Sequence, residues 1–381
     1  MSKKIKLLHV TSSLKIGGAE AVLCDIVRKL GNKEFEHHVI YFHEGPNREK
    51  LVSLGVKVYK INGLLCLYDP IFFIKLFLLI KKIKPDIIHS LLWSANVASR
   101  IVAKLLRIPH VSAYHLDIYN DGLFRNSIDK LTRKMSQCVI AVSDDVAKSL
   151  GNKSTYNKLK IIRNGIDFDE IHKDYTNKNY TNGAIGAKKC VTKKDLGFSD
   201  ADFILGSVGR FHPQKNFPLL LRSFRLLCAK KSNTRLIIMG VGPLEQELKD
   251  LACQLGVQDK VMFVVGKKAV DYFPLFDCFV QSSIKEGLSI ALLEAMSFGL
   301  ACVVTNANDE PHPVIKHKKN GVIINELNEN VLSDTLLEVV EHEQYAKKMG
   351  ESARECVLEG FCVERMVEQY KSIFLSFSNS K

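Results

Sequence analysis

Short apolar runs rich in β-branched residues alternate with longer helical periods along this chain, and the alternation begins twice. The first series starts at Ile5 to Val10 and the second at Phe203 to Val208. Such alternation is typical of α/β folds with parallel sheets, in which each helix carries the chain back to the next strand. The chain has 381 residues, more than twice the usual length of one domain, so two such domains are expected.

Each series contains six predicted strands. A stretch between them, residues 168–194, is rich in Asn, Lys, Tyr, Thr and Gly and lacks apolar periodicity, which predicts a linker or irregular insertion. We expect Rossmann-like domains over residues 1–170 and 171–361, with residues 362–381 forming a helix that can pack back on the first domain. The predicted strands are Ile5 to Val10, His38 to Phe42, Lys57 to Ile61, Asp86 to Ser90, His110 to Tyr114 and Cys138 to Val142, then Phe203 to Val208, Arg235 to Met239, Lys260 to Val265, Cys278 to Gln281, Ala301 to Thr305 and Gly321 to Ile324.

The composition excludes several classes of protein. Hydrophobic residues make up 46% and charged residues 25%, which argues against a fibrous or wholly disordered chain. Lys75 interrupts the best apolar run, so we expect no membrane-spanning helix, and the first residues do not resemble a secretory signal. The ten cysteines include no CxxC pair, which favours free thiols over a zinc or redox site. A cytoplasmic protein is expected.

Positive charge is concentrated in the first half of the chain. The net charge is +13, and residues 1–170 hold 27 Lys and Arg against 16 Asp and Glu. A helix is predicted from Pro70, with Asp69 as its N-cap, to a point before Pro85. It is almost wholly apolar and is followed by lysines, so it fits either a buried core helix or one in a membrane interface. Our working hypothesis is peripheral association with an anionic membrane, although a lysine-rich composition would explain the charge equally well.

Two cations follow the first strand of the second series. Arg210 and Lys215 lie five residues apart in a short turn, where parallel sheets bind their ligands. A guanidinium matches phosphate oxygens and an ammonium acts as a point charge, so the pair suits a departing diphosphate. By itself this spacing is weak evidence, and simple solvation of two basic residues in a polar loop explains it better.

A second candidate segment precedes an apolar helix over Ile290 to Phe298. Glu286 falls in the loop before that helix, and Glu294 lies about two turns further on. The positive end of a helix dipole attracts anions such as phosphate. Glu294 can accept bonds from ribose hydroxyls and Glu286 can contact a transferred group, whereas a cap acid and an ion-paired helix acid would explain the same residues. The backbone amides that would point at the anion belong to Gly287, Leu288 and Ser289.

Six short motifs occur in order across nearly the whole chain. Taken together they resemble the retaining family-four glycosyltransferases of GT-B fold, and this ordered set is far more specific than any one of its members. The motifs are Gly17-Gly18-Ala19-Glu20, Asp86-Ile87-Ile88-His89, Asn164-Gly165-Ile166-Asp167, Gly209-Arg210 with Lys215-Asn216, Gly240-Val241-Gly242-Pro243, and the stretch from Glu286 to Glu294.

The resemblance implies two Rossmann-like domains whose parallel sheets face a central cleft. On the donor side, it implies that Arg210 and Lys215 hold the diphosphate, that Glu294 binds the ribose and that Glu286 faces the sugar. Gly240 and Gly242 would allow close backbone approach near the nucleotide.

The acceptor side of the resemblance lies in the first domain. Gly17 and Gly18 would allow close approach on the opposite wall of the cleft. His115 matches a histidine beside the reacting sugar, and His89 is a candidate acceptor contact. Each histidine is also compatible with a structural role.

The implied activity is transfer of a hexose from a UDP- or GDP-sugar to a glycan or lipid-linked acceptor, in lipopolysaccharide or capsule synthesis at the inner face of the membrane. No metal or other cofactor is expected, because Arg210 and Lys215 can supply the positive charge. The DxD sequences that begin at Asp167 and Asp200 lie in or beside the linker and are interpreted as chance occurrences.

Three alternatives remain at this stage. A sugar-nucleotide epimerase has a similar two-domain fold and cleaves the same anomeric bond. A nucleic-acid-binding protein is suggested by the basic composition, but no stripe of aromatic and basic residues supports it. A catalytically inactive partner subunit is the third.

Overall fold

A computed structural model describes residues 4–62, 69–115, 123–151, 158–176, 191–306 and 311–378 of the chain. The protein divides into two compact units, Met1–Gly165 with Val363–Lys381, and Ile166–Cys362. The boundary after Gly165 lies close to the residue 170 of the sequence analysis. The C-terminal segment belongs to the first unit.

The first unit is built on a seven-stranded parallel sheet with the order β3-β2-β1-β4-β5-β6-β7. This order is doubly wound, with the direction of winding reversed between β1 and β4. The strands are β1 (Ile5–Ser13), β2 (Phe35–His43), β3 (Lys57–Lys60), β4 (Ile87–Leu91), β5 (His110–Tyr114), β6 (Cys138–Ala141) and β7 (Leu159–Ile161). The helices between them are α1 (Gly18–Leu30), α2 (Asn47–Ser53), α3 (Pro70–Ile83), α4 (Trp93–Leu106), α5 (Leu123–Arg133) and α6 (Asp144–Ser149).

The second unit contains a six-stranded parallel sheet with the order β10-β9-β8-β11-β12-β13. Its winding reverses between β8 and β11. The strands are β8 (Phe203–Val208), β9 (Thr234–Gly240), β10 (Val261–Val265), β11 (Cys278–Gln281), β12 (Ala301–Thr305) and β13 (Val322–Ile324). The helices are α7 (Phe168–Thr176), α8 (Phe217–Lys230), α9 (Glu245–Gln254), α10 (Ile290–Ser297), α11 (Glu329–Glu341) and α12 (Glu343–Gly360), after which α13 (Val363–Ser378) returns to the first unit.

All twelve predicted strands are present, and the two parallel-sheet α/β domains expected from the alternation are confirmed. Two details of the prediction are wrong. Residues 168–176 form α7 rather than irregular linker, because His172 of this helix stacks between the rings of Phe168 and Phe298. The short strand β7 carries only three residues and has too little alternation to be read from sequence.

Helix α3 begins and ends as predicted. The Asp69 carboxylate accepts hydrogen bonds from the backbone N–H groups of Ile71 and Phe72, and Lys84 closes the helix in the left-handed region. Phe72, Leu76, Ile80 and Ile83 are buried, so this face of the helix belongs to the core. No helix in the described part of the chain has both the length and the apolar character needed to cross a bilayer.

Candidate active site

The loops after β8 and β11 are joined by a set of hydrogen bonds at the carboxyl edge of the second sheet. The backbone N–H of Ile284 donates to the carbonyl of Gln214 at 2.9 Å, and the Gln214 side chain donates to the carbonyl of Lys285 at 2.8 Å. The Ser282 hydroxyl donates to the carbonyl of Lys215 at 2.9 Å. β8 and β11 are adjacent in the sheet, which explains why loops more than 60 residues apart in sequence meet here.

Lys215 and Glu286 form an ion pair within this assembly. The Lys215 ammonium donates to Glu286 Oε1, and the Ser283 hydroxyl donates to the same oxygen at 2.8 Å. Their side chains are only 17% and 14% exposed. The pair therefore holds the predicted phosphate-binding cation and the predicted sugar-facing acid side by side. Arg210 lies on the same loop as Lys215 and is exposed.

Thr305 and Ser207 anchor this assembly to the sheet. Thr305, the last residue of β12, donates its hydroxyl to the carbonyl of Ser283 at 2.6 Å. Ser207 donates to the carbonyl of Val280 in the neighbouring strand at 2.6 Å. These buried hydroxyls fix the strand ends that carry both loops.

Gly240 and Gly242 allow a close approach between two loops of the protein. A Cβ atom added at Gly240 would lie 1.9 Å from the carbonyl oxygen of Gly209, and one at Gly242 would lie 2.4 Å from that of Phe211. The space that these glycines leave is therefore filled by the chain's own loop after β8. The close approach joins two loops of the protein, and it sets the path of the segment that carries Arg210 and Lys215.

Helix α10 begins directly after the Glu286 loop, as predicted. Ser289 is the N-cap, and its hydroxyl accepts a hydrogen bond from the backbone N–H of Leu292 at 3.4 Å. Gly287 and Leu288 complete the buried approach to the helix. Glu294 lies in the second turn of α10 and is partly exposed. The N-terminus of α10 therefore begins three residues after Glu286, and the positive end of a helix dipole favours an anion.

His115 directly follows the first unit's strand β5 and is half-buried. Within the described residues, neither of its ring nitrogens has a hydrogen-bond partner, and both are shielded from water. Burial lowers the pKa of this imidazole to about 4. The ring is therefore neutral near pH 7 and offers one donor and one acceptor to a ligand.

A buried polar network fixes the strand end beside His115. The Arg100 guanidinium donates to the hydroxyl of Tyr114 and to Asp129 Oδ1, at 2.9 Å in the latter case, and Tyr114 donates to the same oxygen at 2.6 Å. Arg133 donates to Asp129 Oδ2 at 2.9 Å. Burial alone would raise the pKa of the Asp129 carboxyl, but the two guanidiniums hold it below its usual range. Sequence analysis missed this network because its members lie on β5, α4 and α5.

The structure places His89, the candidate acceptor contact, inside the core of the first unit. Its side chain is fully buried, its Nδ1 lies 3.0 Å from Nδ1 of His9, and its ring packs edge-on against Tyr370 and Phe374 of α13. Burial lowers its pKa to about 3. The residue faces the sheet side that the C-terminal helix covers, which a strand pattern cannot reveal.

Gly17 and Gly18 begin helix α1. Gly17 is the N-cap in an extended conformation, and a Cβ atom there would lie 2.4 Å from the Glu20 carboxylate. Gly18, the first residue of α1, is exposed. The structure also accounts for both DxD sequences, since Asp202 binds Arg235 at 2.9 Å and Asp167 accepts from the N–H of Glu170.

Comparison with known proteins identifies the family. The sequence profile of the family described as Glycosyltransferase Family 4 matches residues 16–170, and that of Glycosyl transferases group 1 matches residues 189–356. The chain belongs to the family-four glycosyltransferases of GT-B fold. The two matches fall on the two units in turn, and together they span most of the chain. The expected fold and enzyme class are thereby confirmed.

Individual glycosyltransferases match over nearly their whole length. The UDP-Gal:alpha-D-GlcNAc-diphosphoundecaprenol alpha-1,3-galactosyltransferase of Escherichia coli is 25% identical over 99% of this chain and 98% of its own. Anabaena Alr3699/HepE in complex with UDP and glucose has a TM-score of 0.82 at 18% identity, covering 98% of this chain and 100% of that one. The lipopolysaccharide outer core galactosyltransferase WaaB has a TM-score of 0.68 at 15% identity, covering 98% and 99%. These structures share the fold.

Proposed function

We propose that this glycosyltransferase moves a hexose from a UDP-sugar to a lipid-linked or polysaccharide acceptor, with retention of anomeric configuration. The observation that carries the proposal is the Lys215–Glu286 ion pair, joined by Ser283, at the N-terminus of α10. Two supports come from similar proteins: the Escherichia coli relative is named for UDP-Gal and a diphosphoundecaprenol acceptor, and Alr3699/HepE binds UDP and glucose. A role in the synthesis of cell-surface polysaccharide follows from an acceptor of this kind.

The leaving diphosphate is stabilised by positive charge that is already in place. An ammonium has three donors, so Lys215 can keep its bond to Glu286 and still donate to a phosphate oxygen. The exposed Arg210 guanidinium can close on the other phosphate oxygens. The dipole of α10 adds a partial positive charge where negative charge develops. We infer that these groups supply the electrostatic stabilisation without a metal ion.

Glu286 and Glu294 have separate roles in this proposal. Glu286 is fixed by Lys215 and Ser283 and faces the hexose, whereas Glu294, in the second turn of α10, accepts hydrogen bonds from the ribose. In the first unit, neutral His115 binds a sugar hydroxyl. We also propose that the enzyme works at the inner face of the membrane, where a lipid-linked acceptor is found.

The test is turnover of UDP-sugars by purified enzyme with a diphosphate-lipid acceptor, with and without a chelator. Glu286→Gln and Arg210→Ala should each lower turnover at least about a hundredfold, because each removes a group that acts on the transition state. Glu341→Gln, in an exposed pair with Lys231, is the matched control and should turn over normally.

Product analysis completes the test. A lengthened acceptor whose new linkage keeps the donor's anomeric configuration supports the proposal. Normal turnover of both active-site variants would contradict the assigned roles, and loss of activity with the chelator would contradict a metal-independent reaction. A free epimerised sugar nucleotide would point to the alternative enzyme of the sequence analysis.

A further inference from the structure

Helix α3 presents a second apolar face, opposite the one that enters the core. Ile71, Ile74 and Leu78 are 61%, 58% and 57% exposed, and their spacing of three and four residues places them on one side of the helix. Lys75 and Lys82 lie on the same side and are exposed. Exposure of several large aliphatic side chains on one face is unfavourable in water, so this face is available for an apolar partner.

The same character continues over the two neighbouring helices. α3 packs beside α4, and α4 beside α5, so the three form one layer on the first sheet. Leu105 of α4 is 67% exposed, and Phe124 and Leu131 of α5 are 61% and 72% exposed. In the described part of the second unit, no large hydrophobic side chain is more than 44% exposed. We call the outer side of α3, α4 and α5 the α3–α5 surface.

The exposed charged side chains of the α3–α5 surface are all positive. Asp129 is the single acidic residue within the three helices, and it is buried in the Arg100 network. By contrast, α13 exposes Glu364 and Glu368 beside Arg365 and exposes no large aliphatic side chain. The exposed charged residues of the α3–α5 surface are Lys75, Lys81, Lys82, Lys104, Arg125 and Lys130.

We propose that the α3–α5 surface docks the enzyme on an anionic lipid bilayer, with its aliphatic side chains among the upper acyl chains and its lysines at the headgroups. This inference rests on the proposed membrane location of the enzyme and names the surface responsible. Ammonium groups interleaved with Ile and Leu match the two layers of a bilayer interface. A nucleic acid would pair with the lysines but would leave the six exposed aliphatic and aromatic side chains in water.

The first experiment measures sedimentation of the full-length protein with lipid vesicles. Vesicles containing phosphatidylglycerol should bind the protein, and vesicles of phosphatidylcholine alone should not, because the lysines need anionic headgroups. Lys75→Gln/Lys82→Gln should weaken binding about 25-fold, which is about fivefold for each lysine. Lys347→Gln/Lys348→Gln on α12 removes the same charge elsewhere and should leave binding unchanged.

The second experiment tests insertion of the aliphatic side chains. In a Leu78→Trp variant, lipids brominated on the acyl chains should quench the added fluorescence, whereas Leu358→Trp on α12 should not be quenched. The parent protein, with Trp93 alone, supplies the baseline. Ile74→Ser/Leu78→Ser should weaken vesicle binding while the thermal unfolding midpoint stays close to that of the parent, because both residues are exposed.

Several outcomes would overturn this inference: equal binding to both kinds of vesicle, unchanged binding of the lysine variants, or no quenching of the tryptophan at position 78. Recruitment of this surface by an acidic protein, without vesicle binding, would also overturn it. Turnover with a water-soluble acceptor separates the two proposals. Normal turnover without vesicle binding contradicts only the surface, whereas vesicle binding without turnover contradicts only the proposed function.

Discussion

In the first unit, several imidazole and charged groups lie inside the core, whereas the buried side chains of the second unit are mainly aliphatic and aromatic, with hydroxyls at its strand ends and with His172 and Asp202 among the buried exceptions. His9, His37 and His89 form a hydrogen-bonded chain beneath α13, and Arg100 and Asp129 lie between α4 and α5. Two sheets of the same architecture are therefore stabilised differently. A shared fold therefore does not fix which interactions stabilise it.

This difference between the two cores affects how rigidly each unit holds its candidate functional residues. In the second unit, the chemistry-bearing loops are tied by hydroxyl and backbone hydrogen bonds above an apolar core, which suits a donor site of constant shape. In the first unit, the polar network reaches the end of β5, directly beside His115. Substitutions in that core should therefore affect both stability and the position of His115.

The largest effect is expected for Asp129→Asn in the first unit. The substitution leaves two buried guanidiniums without their carboxylate, and removal of one partner from a buried ion pair costs about 3–5 kcal/mol of unfolding free energy. Urea unfolding followed by the fluorescence of Trp93, the only tryptophan, reports on this unit. Asp144→Asn, which breaks the exposed pair with Arg163, should cost less than about 1 kcal/mol. Equal effects of the two variants would contradict a special role for the buried network.

A smaller effect is expected for Gly240→Ala in the second unit. The added methyl group would collide with the carbonyl of Gly209, so the loop after β8 must shift, at a cost of about 1–3 kcal/mol. UDP binding, measured by titration calorimetry, should weaken because Arg210 and Lys215 move with that loop.

Gly360→Ala is the control for this variant. A Cβ atom at Gly360, at the end of α12, would meet nothing within 4 Å, so stability and UDP binding should be maintained. If Gly240→Ala bound UDP as tightly as the parent, the position of the loop after β8 would not affect donor binding, and the prediction would be wrong.

The smallest effect, per residue, is a pH dependence of the first unit's stability, which His37 illustrates. Burial lowers the pKa of His37 to about 4, compared with 6.5 for a histidine side chain in water. The unfolded chain therefore binds a proton that the folded state rejects, so stability is complete above pH 6.5 and falls as the pH drops from 6.5 toward 4. The loss is about 1.4 kcal/mol for each pH unit and each such histidine.

Unfolding of the first unit between pH 7 and 5.5, followed by Trp93 fluorescence, measures this slope. His37→Gln retains hydrogen-bonding capacity but does not titrate, so its slope should be shallower than that of the parent. His342→Gln, at an exposed position at the start of α12, should leave the slope unchanged. If the unfolding free energy of the parent did not change between pH 7 and 5.5, the buried histidines would be protonated without loss of stability, and the prediction would be wrong.

Much of the candidate donor site could be predicted from sequence. Arg210, Lys215 and Glu286 each follow a strand of a parallel sheet, and helix α10 begins where its apolar period begins. The partners of these residues could not be predicted, because Ser283 and Gln214 act through bonds between two loops whose strands are not consecutive. The motif predicts a close backbone approach at Gly240, but only the structure shows that the carbonyl group of Gly209 makes that approach.

The sequence alone was enough to predict the α/β class, the twelve principal strands, the N-cap of α3 and the loops that carry Arg210, Lys215 and Glu286, because these depend on periodicity and on local chemistry. Only the tertiary structure decided that His89 is a core residue, that α13 completes the first unit, and that Ile71, Ile74 and Leu78 face outward. The reason is that burial depends on which elements cover a face of the sheet. Packing between segments far apart in the chain decides which face is covered, and a local sequence pattern does not contain that information.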